Sequence, residues 1–168
     1  MNTTDIRTLI DYTDWANRRV LDTAAQLSPA QILAPAQVPM HSLLGTLAHT
    51  LGAEVIWRRR WEGEWPVPVD DIAAYQTLDQ LVARWRDETT ALYAFVASLT
   101  DDDLTRVFAY KNSKGTSFQQ ILWHLIVHMV NHGTQHRSEA AILLTSAGHS
   151  PGELDLIGYL REQQATQE

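Results

Sequence analysis

Four of the seven histidines in this 168-residue chain recur at every fourth position: His124, His128, His132 and His136. On a helix, a four-residue step turns the side chain by about 40° and raises it by roughly 6 Å. Two neighbouring rungs can therefore grip one ion, which is why a His-x-x-x-His pair serves metals. Three rungs span about 12 Å, too far for one ion bonded at about 2.1 Å. One pair must be selected, and the remaining ligands must come from another element. The chain contains no cysteine, which excludes thiolate ligands, a protein thiol nucleophile and disulfides. Imidazole and carboxylate are the ligand types left.

The apolar stripe of the same segment selects the pair. With Phe118 set at 0° on a helical wheel, Leu122, Leu125, Met129, Ala140, Leu143 and Ala147 fall within about 40° of it. His136 then lies at about 0° and His132 at about 320°, while His128 is at about 280° and His124 at about 240°. His132 and His136 point into the core, His128 sits on the rim or behind the ligands, and His124 faces the surface. A lone histidine on an apolar stripe is more often a satisfied core residue than a ligand. Two of them, one turn apart, bury nitrogens that each need a partner, and a single metal supplies both.

The elements that must position these residues read as helices. The first is expected over residues 3–27, capped by Thr3 or Thr4, with Ile6, Leu9, Ile10, Thr13, Ala16, Val20, Ala24 and Leu27 on one stripe. Ser28-Pro29-Ala30-Gln31 has the form of a capping box that opens a short turn before Pro35 and Pro39. A second helix is expected over residues 40–62, ahead of Gly63 and a loop with Pro66 and Pro68. Thr77-Leu78-Asp79-Gln80 opens a third, with a core of Leu78, Leu81, Val82, Trp85, Leu92, Phe95, Val96 and Leu99. Lys111-Asn112-Ser113-Lys114-Gly115 is turn chemistry inside a small hairpin or irregular loop over residues 106–116. Ser117-Phe118-Gln119-Gln120 reads as another capping box, opening the histidine-bearing helix up to Ala147, with Gly148 and Pro151 as its stop. A short helix over residues 154–162 closes the chain. One all-α domain over residues 1–168, with four long helices as a bundle, is the natural architecture.

The second helix offers the partner ligands. His49 lies midway along it and His41 near its start; the helix is apolar nearly all round, with Leu43, Leu44, Leu47, Leu51 and Val55 as one stripe and His49 beside a second, weaker strip of Ala53 and Ile56, so periodicity does not turn His49 inward. Glu54 is a rival carboxylate ligand, its bland alternative being a structural or surface ion pair. His149, in a Gly–Pro loop, reads as solvent-facing. Of the tryptophans, Trp15, Trp85 and Trp123 read as core or interface. Trp57, Trp61 and Trp65 cluster near a loop, where they either pack or line an entrance.

Composition narrows the partners. Thirteen basic and 20 acidic residues give a net charge of −7, without the basic face that a phosphate backbone requires, so no nucleic-acid partner is expected. Arg58-Arg59-Arg60 reads as a solvated cluster. No run of about 18 uncharged apolar residues indicates a membrane span, and the polar first ten residues resemble no leader, so the expected address is the cytoplasm.

With these residues in hand, the sequence resembles the DinB family of damage-inducible proteins, related to bacterial thiol transferases. The resemblance runs through Tyr12-Thr13-Asp14-Trp15-Ala16-Asn17 and through His49-Thr50-Leu51-Gly52-Ala53-Glu54 with Trp57. Its most specific parts are His128-Met129-Val130-Asn131-His132-Gly133-Thr134-Gln135-His136-Arg137 and Gly148-His149-Ser150-Pro151-Gly152-Glu153-Leu154-Asp155. It implies an up-down-down-up four-helix bundle, usually a homodimer, and a divalent metal held by His49, His132 and His136. Zinc or nickel leads among the transition metals that imidazole accepts.

Three neutral histidines leave a coordination position open, as in catalytic sites. The leading expectation is a transferase joining an exogenous low-molecular-weight thiol to an electrophile, for which the chain supplies no thiol of its own. The alternatives are a hydrolase using metal-bound hydroxide and a non-catalytic metal-binding protein of the DNA-damage stress response.

Overall fold

A computed structural model describes residues 1–67, 75–112 and 114–166. Helix α1 (Thr3–Ala24) is capped by Asn2, whose side chain accepts from the Asp5 amide while Asp5 answers the Asn2 amide, a reciprocal box one residue earlier than expected. The helix ends three residues short of Leu27. Ser28 and Gln31 form the expected box at α2 (Pro29–Leu33), a helix of five residues. Ser42 caps α3 (Leu43–Trp61) and Thr77 caps α4 (Leu78–Ala97). A short α5 (Asp101–Thr105), capped by Thr100 and Asp103, was not anticipated. Pro68 of the expected loop and Ser113 of the expected turn lie outside the described residues.

The start of the histidine-bearing helix differs from the sequence reading. Ser117 opens no helix: Ser117–Ile121 is strand β2, paired antiparallel with β1 (Val107–Lys111), and α6 runs over Leu122–Ser146 with no side-chain cap. The four-residue box is a local signal, and cross-strand pairing overrides it. Phe118 is consequently not a core residue but 44% exposed, stacked on Tyr110 directly across the ladder. The last element, α7 (Leu156–Ala165), begins two residues later than expected.

Helices α1, α3, α4 and α6 make the bundle. Paired contacts give their directions. Tyr12 and Asn17 meet Thr134 and Arg137, so α1 and α6 run parallel. Glu54 and Arg58 meet Trp85 and Glu88, so α3 and α4 run parallel. His49 and Trp57 meet His136 and His128, so α3 and α6 run antiparallel. The result is the up-down-down-up bundle. Parallel neighbours cannot be joined by a tight turn, which explains the long connection between α3 and α4.

The core is not one apolar mass. One cluster gathers Val20, Leu44, Leu47, Leu51, Leu81 and Leu144 at one end of the bundle; a second gathers Ile6, Ile10, Leu92, Leu104, Ile126 and Met129 at the other. Between them lies a layer of buried polar groups. Glu54 accepts hydrogen bonds from Asn17 Nδ2 (2.9 Å) and Trp85 Nε1 (3.0 Å). Arg137 donates to Asn17 Oδ1 (3.1 Å) and Thr134 Oγ1 (2.9 Å). Glu88, fully buried, takes both forks of Arg58. Each residue of the layer finds a partner in another, which is how buried polar groups are tolerated, with Arg137 Nε left as an unpartnered donor.

Candidate metal centre

The histidines stand at the level of this polar layer, where α3 faces α6. The apolar stripe of α6 (Leu122, Leu125, Ile126, Met129, Ala140 and Leu144) is buried and carries His136 inward at 5% exposure. His132, one turn earlier, is half-buried at the flank of that stripe. From α3, His49 reaches across: its ring centre is 4.5 Å from that of His136 and 5.1 Å from that of His132. His132 and His136 are themselves 4.5 Å apart. One nitrogen from each of the three can be chosen so that all lie within 4.8 Å of one another. Nitrogens around a single ion at about 2.1 Å sit roughly 3–4 Å apart, so the cluster needs only small rotamer adjustments to close on one.

The protonation states suit an ion. His136 Nδ1 is 2.8 Å from Glu139 Oε2. With the Nδ1–H donating to that carboxylate, the lone pair lies on Nε2, the arrangement by which carboxylates orient metal-binding imidazoles. Burial, reinforced by the neighbouring His136, His49 and His128, pushes His132 down to about 4, so its ring is neutral. Burial also lowers His49, with His136 adding to the effect. The most direct sign of fit is His132 Nδ1, a buried nitrogen with no protein partner. An orphaned imidazole nitrogen beside two other imidazoles is the donor set that a divalent transition metal satisfies.

The other candidates lie elsewhere. Glu54 is sealed between Asn17 and Trp85 in the polar layer, where burial raises it to about 7 against the pull of its hydrogen bonds and of Arg137. It is therefore structural rather than a ligand. His124 is exposed, packed on Trp123 and bonded to Gln120. His149 is partly covered and bonds Gln26, and His41 occupies a left-handed turn at φ 62°. His128 is exposed and stands as the next step of the ladder, 6.1 Å from His132 and edge-on to Trp57 at 5.2 Å.

The tryptophans separate by role. Trp85 is core, and Trp61 is buried against Phe95. Trp57 is half-buried between His128, Trp61 and Tyr110, and Trp65 is 41% exposed. Two pairings at or beside the histidines went unnoticed in the sequence, that of Glu139 with His136 and that of Asn17 with Arg137. Glu139 stands three residues after His136, on the same helix face, a spacing that could have flagged it. Asn17 reaches Arg137 from another helix, and no local signal marks that pairing.

Among the described residues, no helix is long and apolar enough to cross a membrane. The chain is 24% identical over 159 residues to Protein DinB of Bacillus subtilis (strain 168), covering 90% of this chain and 91% of that one. The fold is similar to that of a DinB-like protein from Bacillus cereus ATCC 10987, with a TM-score of 0.59 at 19% identity over 86% of this chain and 94% of the other. It is also similar to that of a conserved protein from Enterococcus faecalis, with a TM-score of 0.54 at 13% identity over 82% and 94% of the two chains. The model of the DinB family matches residues 1–168 from end to end, and the chain belongs to that family.

Proposed function

We propose that this chain is a divalent-metal-dependent transferase, employing zinc or nickel on His49, His132 and His136, that joins a low-molecular-weight thiol to an electrophile. The observation that carries the reading is the asymmetry of the histidine cluster: His136 is buried, whereas His49 and His132 are partly open. Three imidazoles with one accessible side are the donor set of a catalytic centre, since structural sites close all four positions. A divalent ion bound there supplies Lewis acidity, which lowers the pKa of an incoming thiol or water. The chain holds the geometry: Glu139 fixes the His136 tautomer, and the polar layer behind it anchors Arg137 on the next residue.

Hydrolysis by metal-bound hydroxide is the second reading, and a carboxylate beside the site would assist it by orienting and deprotonating the water. The carboxylate in contact with the cluster, Glu139, already holds His136, and Glu54 is sealed in the polar layer. A thiol is far more acidic than water before either meets an ion, and loses its proton to solvent without such help. Its sulfur forms the new bond to carbon as the leaving group departs with the electron pair.

The test is elemental analysis followed by turnover of monobromobimane with cysteine, glutathione and mercaptoethanol. The expected result is about one transition metal per chain and a thiol-dependent rate, both lost in a folded His132→Ala/His136→Ala variant. Bound metal with no thiol-dependent rate would sink the transferase reading in favour of a metal-binding protein without turnover. Metal-dependent ester hydrolysis without thiol would favour the hydrolase.

A further inference from the structure

The aromatic surface beside the three histidines carries a cation that the proposed chemistry does not use. Arg60 lies in the last turn of α3. Its guanidinium carbon is 5.0 Å from the ring centre of Trp57, 5.8 Å from Trp65 and 6.0 Å from Tyr110. Its neighbours in sequence are committed: Arg58 pairs with Glu88 and Glu62, and Arg59 with Glu64. Among the described residues, none gives Arg60 an ion pair, and its Nε is buried without a hydrogen-bond partner. In a chain with 20 acidic residues against 13 basic ones, a guanidinium held on aromatic rings away from every described carboxylate stands out. Attraction to the rings uses the charge of the guanidinium and not its N–H donors, and the terminal Nη groups can take a carboxylate by two parallel hydrogen bonds.

The same surface leads to the metal centre. Trp57, under Arg60, touches His128, which stands one step from His132. Along α3, the Cα of Arg60 lies about 16 Å from that of His49 at 1.5 Å per residue, and its side chain leans back toward the helix N-terminus. A ligand joining the two must be extended over roughly 10 Å. One- or two-carbon thiols are too short to do so.

We propose that Arg60, seated on Trp57 and Tyr110, binds a carboxylate of the substrate thiol, which is therefore a peptide-sized, anionic thiol whose charge is remote from its sulfur. The thiol part of this assignment rests on the transferase reading above; the carboxylate site does not. The Trp57 ring lines the path between the two ends, and His128 closes it.

Cobalt(II)-loaded protein tests both parts, because thiolate ligation gives a near-ultraviolet charge-transfer band independent of turnover. Glutathione, its diethyl ester and mercaptoethanol are titrated against wild type, Arg60→Gln and Arg60→Lys. The expected result is glutathione binding weakened roughly 10- to 100-fold in Arg60→Gln, partly retained in Arg60→Lys, with the ester and mercaptoethanol unchanged throughout. Equal loss for all three thiols, or no loss for glutathione, would overturn the assignment. If wild type gives no thiolate band with any of them, the transferase reading fails, and Arg60 is judged by tryptophan fluorescence with naphthoate against the neutral naphthamide. A preference for the anion that Arg60→Gln abolishes keeps the carboxylate site; equal binding of the two, or of neither, removes it.

Discussion

His136 and His132 owe their direction to the phase of α6 and their chemical state to what touches them. Glu139 holds His136 by Nδ1 at 2.8 Å. Replacing it, as in Glu139→Gln, keeps the size of the side chain but weakens the hydrogen bond that fixes the tautomer. Metal affinity is expected to fall about 10- to 100-fold, measured by competition with a chromophoric chelator, with the helical circular dichroism unchanged. The pair was legible in the sequence because two histidines fell on one apolar stripe at ligand spacing. His49 was not legible from its own helix: α3 buries Leu43, Leu44, Leu47, Ala48, Leu51 and Val55 within about 140° of the wheel, and His49 stands roughly opposite, beside the weaker strip of Ala53 and Ile56, so periodicity did not turn it inward. Resemblance to the family supplied it, and the distances to His132 and His136 bring it into the same cluster.

At the scale of elements, the helices were readable wherever periodicity and capping agreed, as at Ser28 and Thr77. They misled where a four-residue pattern competed with a pairing at a distance. Ser117 has the chemistry of a cap, but Phe118 opposite Tyr110 and Gln119 opposite Ala109 hold that segment in the ladder. Helix α6 also contains a test of the polar layer. Glycine inside a helix normally costs about 1 kcal/mol relative to alanine, so Gly133→Ala should stabilise if only propensity counted. A Cβ there would meet Arg137 Nη1 at 2.8 Å, and that guanidinium, on a residue 3% exposed, is tied to Asn17 and Thr134. Displacing it strands buried donors at about 1–3 kcal/mol. The clash therefore outweighs the propensity gain, and Gly133→Ala is expected to lower Tm by several degrees in a thermal melt.

Across the whole molecule, the polar layer links stability to pH. Burial raises Glu54 from 4.5 to about 7. The folded chain therefore holds this proton to a higher pH than the unfolded chain does. Its contribution to stability is fully present below pH 4.5, declines as pH rises through the interval, and is lost above about 7. Denaturant unfolding of wild type beside Glu54→Gln should show the difference moving in favour of glutamine by an amount on the order of 1–3 kcal/mol between pH 5 and pH 8. A constant difference would contradict the shift. Little of this layer was legible beforehand: Asn17, Glu54, Glu88 and Arg137 each lie on a different helix, and of them only Glu54 had a reading of its own, as a rival ligand or a structural or surface ion pair. The histidine cluster has a mechanical counterpart. Its ligands come from two antiparallel helices, one in the middle of α3 and two in the middle of α6. An ion held among them rivets the halves of the chain together at the seam between its two apolar clusters. Loading should then slow amide hydrogen exchange in α3 and α6 together, by a factor that grows with free metal concentration, making this fold a recorder of the metal supply around it.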